Sequence, residues 1–280
     1  FSTFFKFNSL KIVNKRYLGC AYLCVVKKLI YPLFFVLAAC QNEAIDTTAP
    51  VQEEQLPTKG KQSLAQYAER MMRAKLGIQA DEQLDFKIYK AQLDADGIED
   101  AIITLNRKDF AMKEAMASPN PAKRAELGFM GNYNYFFFFD GKLDMLSPPI
   151  AIPSSPLLPL NVTFENISSE DYKDILIDFR IRNASYKDFY TVSNHTPRRI
   201  FQFKNFDGLG TSLTEAYHFE FGAGSYGPQK NIFVMEAQLG ALPQGEDKNT
   251  FIPSIKPIEK IKYTFFYLTK EGKYATLDQR

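Results

Sequence analysis

The chain of 280 residues has no tryptophan, two histidines and three cysteines, and all three cysteines lie at or before residue 40. The part after Cys40 therefore has no thiol for a disulfide framework, and its stability must come from burial. Six basic residues and no acid precede Cys40, so the net charge of +2 becomes −4 without that segment. This balance argues against a nucleic-acid partner, which favours a clustered basic surface.

Residues 26–39 have the organisation of a secretion signal. Lys27 and Lys28 give a positive flank, and an apolar run leads to small residues before Cys40. The uncharged stretch 29–39 is shorter than the roughly 20 apolar residues that span a bilayer. Leu37-Ala38-Ala39-Cys40 resembles the lipobox of bacterial lipoproteins, which implies cleavage before Cys40 and lipid on its thiol. The alternative is an ordinary signal, or a buried segment with a chance cysteine.

The residues around this motif predict where the protein lies. Gln41 stands where, in the lipoprotein family, an aspartate retains proteins in the inner membrane, so we expect the outer membrane, on its periplasmic face or at the cell surface. Residues 41–43 are loosely similar to those that follow the cysteine in surface-exported lipoproteins of the Bacteroidetes. Residues 1–25 are either translated upstream sequence, with a start at Val25 or Val26, or an unusually long n-region.

The segment that follows the signal divides into a tether and a domain. Residues 40–61 are polar, with two prolines and several acids, and we expect a lipidated, flexible tether. We assign residues 62–280 to a globular domain. Its first element is a predicted helix that Ser63 caps and Gly77 ends. A helical insertion is predicted over about residues 107–128, with Asn120 as a second cap.

Most of the domain has the period of two that is typical of half-buried strands. Apolar and polar residues alternate over 84–88, 175–181, 217–221 and 261–267. Phe136 opens a run of four phenylalanines, which favours a strand buried on both faces. Residues 148–159 contain five prolines and predict an extended connector. The fold class is therefore mainly β (α+β), with antiparallel meander units, an N-terminal helix and a helical insertion.

One loop between predicted strands has the residues of a calcium site. Oxygen ligands alternate around Gly97, and the ligand set is Gln92, Asp94, Asp96, Asp100 and the carbonyl of Ile98. Ca²⁺ takes six to eight oxygens, which alternate positions of a tight loop can supply. The stretch resembles the D-x-D-x-D-G-x-x-D loop of FG-GAP and VCBS repeats, with Gln92 departing at the first ligand. The alternative is a polar hairpin with Asp-Gly chemistry.

A weaker copy of this loop follows about 70 residues later. Its metal ligands are predicted to be Asn166, Ser168, Glu170 and Asp174. After each loop come an apolar strand, an aromatic strand and a turn, at Asp140-Gly141 in the first unit and at Asn194-His195 in the second. We therefore predict two related β units. The resemblance implies units like propeller blades, but the chain is too short for a closed propeller of four to eight blades.

Other side chains give no catalytic signature. His195 and His218 are far apart in sequence and are interpreted as surface histidines, so neither a zinc site nor a catalytic triad is indicated. A group of arginines either holds an anion, if their strands pair, or forms a solvated face. Its members are Arg180, Arg182, Arg198 and Arg199.

These observations predict a lipid-anchored envelope protein that acts as a non-catalytic binding or structural module. We expect it to contact the membrane through lipid on Cys40, to be stabilised by Ca²⁺ and to bind a glycan or protein ligand that the sequence does not identify. The alternative is a lipid-anchored hydrolase that acts on glycans or peptides through carboxylates, because aspartate and glutamate are too common for sequence to exclude it.

Overall fold

A capped helix begins the domain in the computed structural model, which describes residues 62–276. This helix, α1 (Leu64–Leu76), starts with a capping box in which Ser63 and Gln66 each accept a hydrogen bond from the other's backbone N–H. Gly77 ends α1 with φ at 61°, a left-handed conformation that glycine adopts without a Cβ clash. Both ends agree with the sequence-based prediction.

The first sheet has five antiparallel strands. They are β1 (Asp85–Ala91), β2 (Asp100–Asn106), β3 (Gly131–Asp140), β4 (Met145–Leu146) and β5 (Ile150–Ser154). The strand order is β1-β2-β3-β4, and β5 also pairs with β3. Two helices, α2 (Lys108–Ala117) and α3 (Pro121–Gly128), form the insertion between β2 and β3. The side chain of Asn120 caps α3, as predicted.

The second sheet is an eight-stranded meander in which each strand pairs antiparallel with the next. Its strands are β6 (Asn161–Glu165), β7 (Asp174–Ile181), β8 (Ala184–Ser193), β9 (Thr196–Asp207), β10 (Glu215–Gly222), β11 (Asn231–Leu239), β12 (Ile255–Leu268) and β13 (Lys273–Ala275). The sheet curls around its own aromatic face. Phe201 of β9 lies 4.6 Å from Phe265 of β12 and 6.0 Å from Tyr274 of β13, measured between ring centroids.

Strand β3 is buried on both faces, as its run of phenylalanines predicts. Phe137 packs in the core beneath α1, together with Met72. Phe136 and Phe138 face the opposite way, into a core shared with Ile175 and other residues of the second sheet. Each fully buried side chain of this size stabilises the fold by about 1.5 to 3 kcal/mol. The first sheet is therefore the middle layer, between α1 and the second sheet.

The mainly-β fold class with an N-terminal helix and a helical insertion is confirmed. The connector 148–159 was predicted without a strand, but residues 150–154 form β5. The sheets have five and eight strands, whereas a propeller blade has four. The predicted upstream segment 1–25, signal 26–39 and lipidated tether 40–61 lie outside the described residues. Within residues 62–276, no helix has the length and apolar character needed to cross a membrane.

Candidate metal site

The first loop (residues 92–100) connects β1 to β2, and the pair Ala91 and Asp100 closes it. Asp94 Oδ1 accepts a hydrogen bond from the backbone N–H of Asp96 over 2.9 Å, and Asp96 Oδ1 accepts one from the N–H of Ile98 over 2.8 Å. Gly97 between them has φ at 79°. These two short-range bonds are the local turn chemistry of aspartate, and they hold the loop in a tight conformation.

Asp100, the last ligand predicted in this loop, is buried. Its Oδ2 accepts a hydrogen bond from the N–H of Leu93 over 3.1 Å, and its Oδ1 accepts one from the N–H of Gly141 over 2.9 Å. Burial raises the pKa of Asp100 above its ordinary value, although these two amide donors act to lower the pKa. Asp100 thus fastens the first loop to the turn after β3.

The second loop (residues 166–174) connects β6 to β7 and repeats this arrangement. The N–H of Ile167 donates to Asp174 Oδ2 over 3.2 Å, with the seven-residue spacing that joins Leu93 to Asp100. Leu93 and Ile167 are both fully buried, and so are both aspartates. The two loops are in contact, because the N–H of Lys173 donates to the carbonyl of Gln92 over 2.9 Å.

Among the remaining predicted ligands of the second loop, the side chains of Asn166 and Ser168 form hydrogen bonds within the loop, and that of Glu170 does not. Ser168 Oγ donates to Asp174 Oδ1 over 2.6 Å. The amide group of Asn166 donates to two backbone carbonyls, and its Oδ1 accepts a hydrogen bond from the Lys173 ammonium group over 3.0 Å. Glu170 is exposed. The oxygens of Asn166, Ser168 and Asp174, which a cation would contact, are therefore already engaged by hydrogen bonds within the second loop.

In the first loop, by contrast, Asp94 lies in a cluster of metal-binding groups. Asp94, Asp140 and His195 each offer one ligand atom, and these atoms lie within 4.8 Å of one another. Asp140 is buried at the end of β3, where its Oδ1 accepts a hydrogen bond from the N–H of Leu143 over 2.8 Å. Its Oδ2 lies 2.6 Å from His195 Nδ1. We call these three residues the Asp-Asp-His cluster.

Asp140 and His195 are missing from the ligand set predicted from the sequence. His195 is exposed, as expected, but it sits in the β8–β9 turn with φ at 58°, which places its ring against the turn after β3. The signal was present in the predicted repeat, because Asp140-Gly141 and Asn194-His195 occupy the same position in the two units. The repeat pattern alone does not predict that these two turns are in contact.

The first loop also contains an oxygen without a partner. Asp96 is half-buried, and its Oδ2 is shielded from solvent and has no hydrogen-bond partner among residues 62–276. Asp96 is not part of the Asp-Asp-His cluster. Carboxylate oxygens from Asp94 and Asp140 are ligands that suit Ca²⁺, whereas the imidazole of His195 suits Zn²⁺ and related transition metals. The residue types of this region fit a divalent cation, which Asp94, Asp140 and His195 would hold.

Comparison with known proteins adds no relative. No model of a protein family, no curated protein and no solved structure matches this chain.

Proposed function

We propose that this chain is a lipid-anchored envelope protein whose β domain acts as a non-catalytic binding or structural module, with a divalent cation that stabilises it. The anchor rests on Leu37-Ala38-Ala39-Cys40, which resembles a lipobox, and on the polar tether 40–61. A domain fastened in this way meets its ligand at the membrane surface, and its loops need a fixed shape to bind it.

The proposed cation site is supported by the convergence of Asp94, Asp140 and His195 from three separate segments. Two carboxylates this close repel each other when both are ionised. The negative charges of Asp94 and Asp140 also act to raise the pKa of Asp100. A cation would remove this repulsion. It would replace the direct contact between Asp140 and His195 and would add Asp94 of the first loop to that connection.

The proposal is tested by thermal unfolding of the full chain after treatment with a chelator and with Ca²⁺ or Zn²⁺ added separately. A cation at about 100 times its dissociation constant adds about 2.7 kcal/mol of stability. For a domain of this size that corresponds to a rise in Tm of about 5 to 10 °C. No rise with either cation at millimolar concentration would contradict the cation site.

Variants distinguish the Asp-Asp-His cluster from other sites. Asp94→Asn should abolish the rise in Tm, because it removes one charged ligand. The matched control is Glu170→Gln, which removes an exposed acid from the second loop and should leave the rise unchanged. An equal loss in Glu170→Gln would contradict the assignment to the first loop.

His195→Gln distinguishes the two metals. Loss of the Zn²⁺ effect with retention of the Ca²⁺ effect would identify a calcium site with oxygen ligands only.

A screen against glycans and peptides with analysis of products tests the non-catalytic role. We expect binding without turnover. Turnover that disappears in a carboxylate variant would instead support the alternative of a lipid-anchored hydrolase.

A further inference from the structure

The second sheet forms a cavity of about 370 Å³ that lies apart from the Asp-Asp-His cluster. Strands β6 to β10 contribute to its lining, and the segment between β11 and β12 adds a wall. This volume lies within the range of about 300 to 1,000 Å³ that small-molecule sites occupy. Its apolar lining includes Leu158, Phe206, Phe219, Ile252, Pro253 and Ile255.

Several of the polar side chains that line the cavity form hydrogen bonds and an ion pair with one another. The Asp178 carboxylate lies 2.8 Å from the Lys187 ammonium group and accepts a hydrogen bond from Asn205 Nδ2 over 2.8 Å. Asn161 Nδ2 also donates to Asp178, over 3.4 Å. The same Asn205 amide group donates to Ser185 Oγ over 3.0 Å. Few free groups remain for the many hydroxyls of a saccharide, and the charge of Lys187 is balanced by Asp178.

Arg180 brings a second positive charge, which has no direct ion pair within residues 62–276, although the negative charge of Asp247 acts on it through space. Its side chain lines the cavity, and the residue is 94% buried because only 6% of its surface is exposed. The guanidinium group donates to three carbonyls, those of Phe251 over 2.9 Å, Lys248 over 2.8 Å and Arg182 over 3.2 Å. It also lies over the ring of Phe206. Within residues 62–276 it has no carboxylate within 4.0 Å, and its Nε has no hydrogen-bond partner.

This arrangement leaves one positive charge in an environment of low polarity. Burial lowers the pKa of Arg180 to about 10, against the opposing effect of the Asp247 charge, so the group is still charged at neutral pH. Asp178 is the single acid of the lining, against Arg180, Lys187 and His218. Carbonyl groups satisfy some of the donors of Arg180 but do not neutralise it. A negative group in the cavity would be attracted by this charge, because little water screens it.

We propose that the cavity binds a small ligand that combines one negative charge with an apolar body, namely a monocarboxylate with an aliphatic chain. The carboxylate would lie toward Arg180, and the chain would lie against Leu158, Ile252 and Pro253. One guanidinium group without a direct ion pair matches a monoanion better than a phosphate ester with two charges. This site is independent of the proposed cation, so the failure of one proposal leaves the other standing.

The test uses the full chain and dodecanoate, with dodecanol and dodecylamine as probes of equal chain length and different charge. Binding is measured by calorimetry, below the concentration at which each probe aggregates. We expect dodecanoate to bind at least about tenfold more tightly than dodecanol, because a partly buried charge contributes at this scale, and dodecylamine to bind more weakly still. Equal binding of the three probes, or no binding of dodecanoate, would overturn the proposal.

Because a substitution of the buried Arg180 can prevent folding, a second test uses substitutions of exposed residues. Ile252 lines the cavity and is 76% exposed, so Ile252→Glu should fold normally and weaken dodecanoate binding by about tenfold through repulsion. Leu213→Glu is the matched control, since Leu213 is 86% exposed and lies outside the lining. We expect Leu213→Glu to bind dodecanoate as the parent does. Equal weakening in both variants would show that the probe binds the surface at large.

Discussion

The backbone N–H of Gly141 donates a hydrogen bond to the carboxylate of Asp100 over 2.9 Å. This bond joins the first residue of β2 to the turn that follows β3. It is also the contact that brings the first loop against Asp140, which the sequence places 40 residues from Asp100. The close approach requires glycine at position 141, because a Cβ atom there would lie 2.2 Å from the carbonyl oxygen of Glu99.

Gly141→Ala should therefore destabilise the domain by about 2 kcal/mol or more, the scale of an overpacked site together with a strained hydrogen bond. Urea unfolding of the variant and the parent measures this difference. Gly128→Ala is the matched control, because a Cβ atom at the end of α3 would have no neighbour within 4 Å. The control should be neutral or stabilising by up to about 1 kcal/mol. Equal effects at the two positions would refute the close packing at Gly141.

The ion pair between Glu82 and Arg107 should contribute to stability, because it is well shielded. Its side chains are 17% and 11% exposed, and Arg107 donates two hydrogen bonds to the two carboxylate oxygens, over 2.8 and 2.6 Å. We expect Glu82→Gln to lower the free energy of unfolding by about 2 kcal/mol or more, because a shielded guanidinium group loses its charged partner. Chemical denaturation measures the change.

The control for this pair is Glu99→Gln. Glu99 pairs with Lys90 over 2.7 Å, but both side chains are more than half exposed. Solvent screens such a pair, so its loss should cost less than about 1 kcal/mol. A larger loss in Glu99→Gln than in Glu82→Gln would contradict the role of burial.

Asp188 should give stability a dependence on pH. Burial raises the pKa of this carboxyl above its usual 3.8, even though Gln202 and Arg199 act to lower the pKa. A raised pKa means that the folded state binds the proton more tightly than the unfolded state. The contribution of Asp188 to stability therefore becomes less favourable as the pH rises from 3.8 through the raised value. The stability of Asp188→Asn, measured relative to the parent, should increase over that window.

Urea unfolding of both proteins at about pH 3, 4, 5, 6 and 7 measures this trend. For Glu215 we expect a pH dependence of stability with the opposite sign, because the hydrogen bond from Lys204 lowers the pKa of Glu215. Glu215 therefore stabilises above its ordinary pKa, and that contribution is lost as the pH falls. Glu215→Gln should lose stability relative to its parent as the pH rises. A difference for Asp188→Asn that does not change with pH would contradict the effect of burial.

Cys40→Ala tests the anchor. We expect the variant to lack lipid and to leave the membrane fraction, because a polar tether without lipid has no acyl chain to insert into the bilayer. Fractionation of cells together with labelling by a radioactive fatty acid measures both properties. Ser63→Ala, inside the domain, should remain in the membrane fraction. Continued membrane retention and labelling of Cys40→Ala would refute the lipobox assignment.

Local chemistry explains which elements the sequence could predict. Ser63 and Gly77 mark the ends of α1 through bonds and angles within a few residues, and Asn120 does the same for α3. Strand β5 was missed because Pro153 lies inside it. A proline has no N–H to donate, but β5 pairs with β3 alone, and an edge strand tolerates that loss.

Periodicity, capping and turn chemistry act over short distances, and they were enough to predict the mainly-β class, the ends of α1 and α3, the burial of β3 and the composition of the first loop. The Asp-Asp-His cluster and the burial of Arg180 depend instead on long-range packing. Asp140 reaches His195 because the first and second sheets share a core, and Arg180 is buried because the segment before β12 folds over it. Such contacts depend on the packing of whole sheets, which no spacing of residues along the chain specifies.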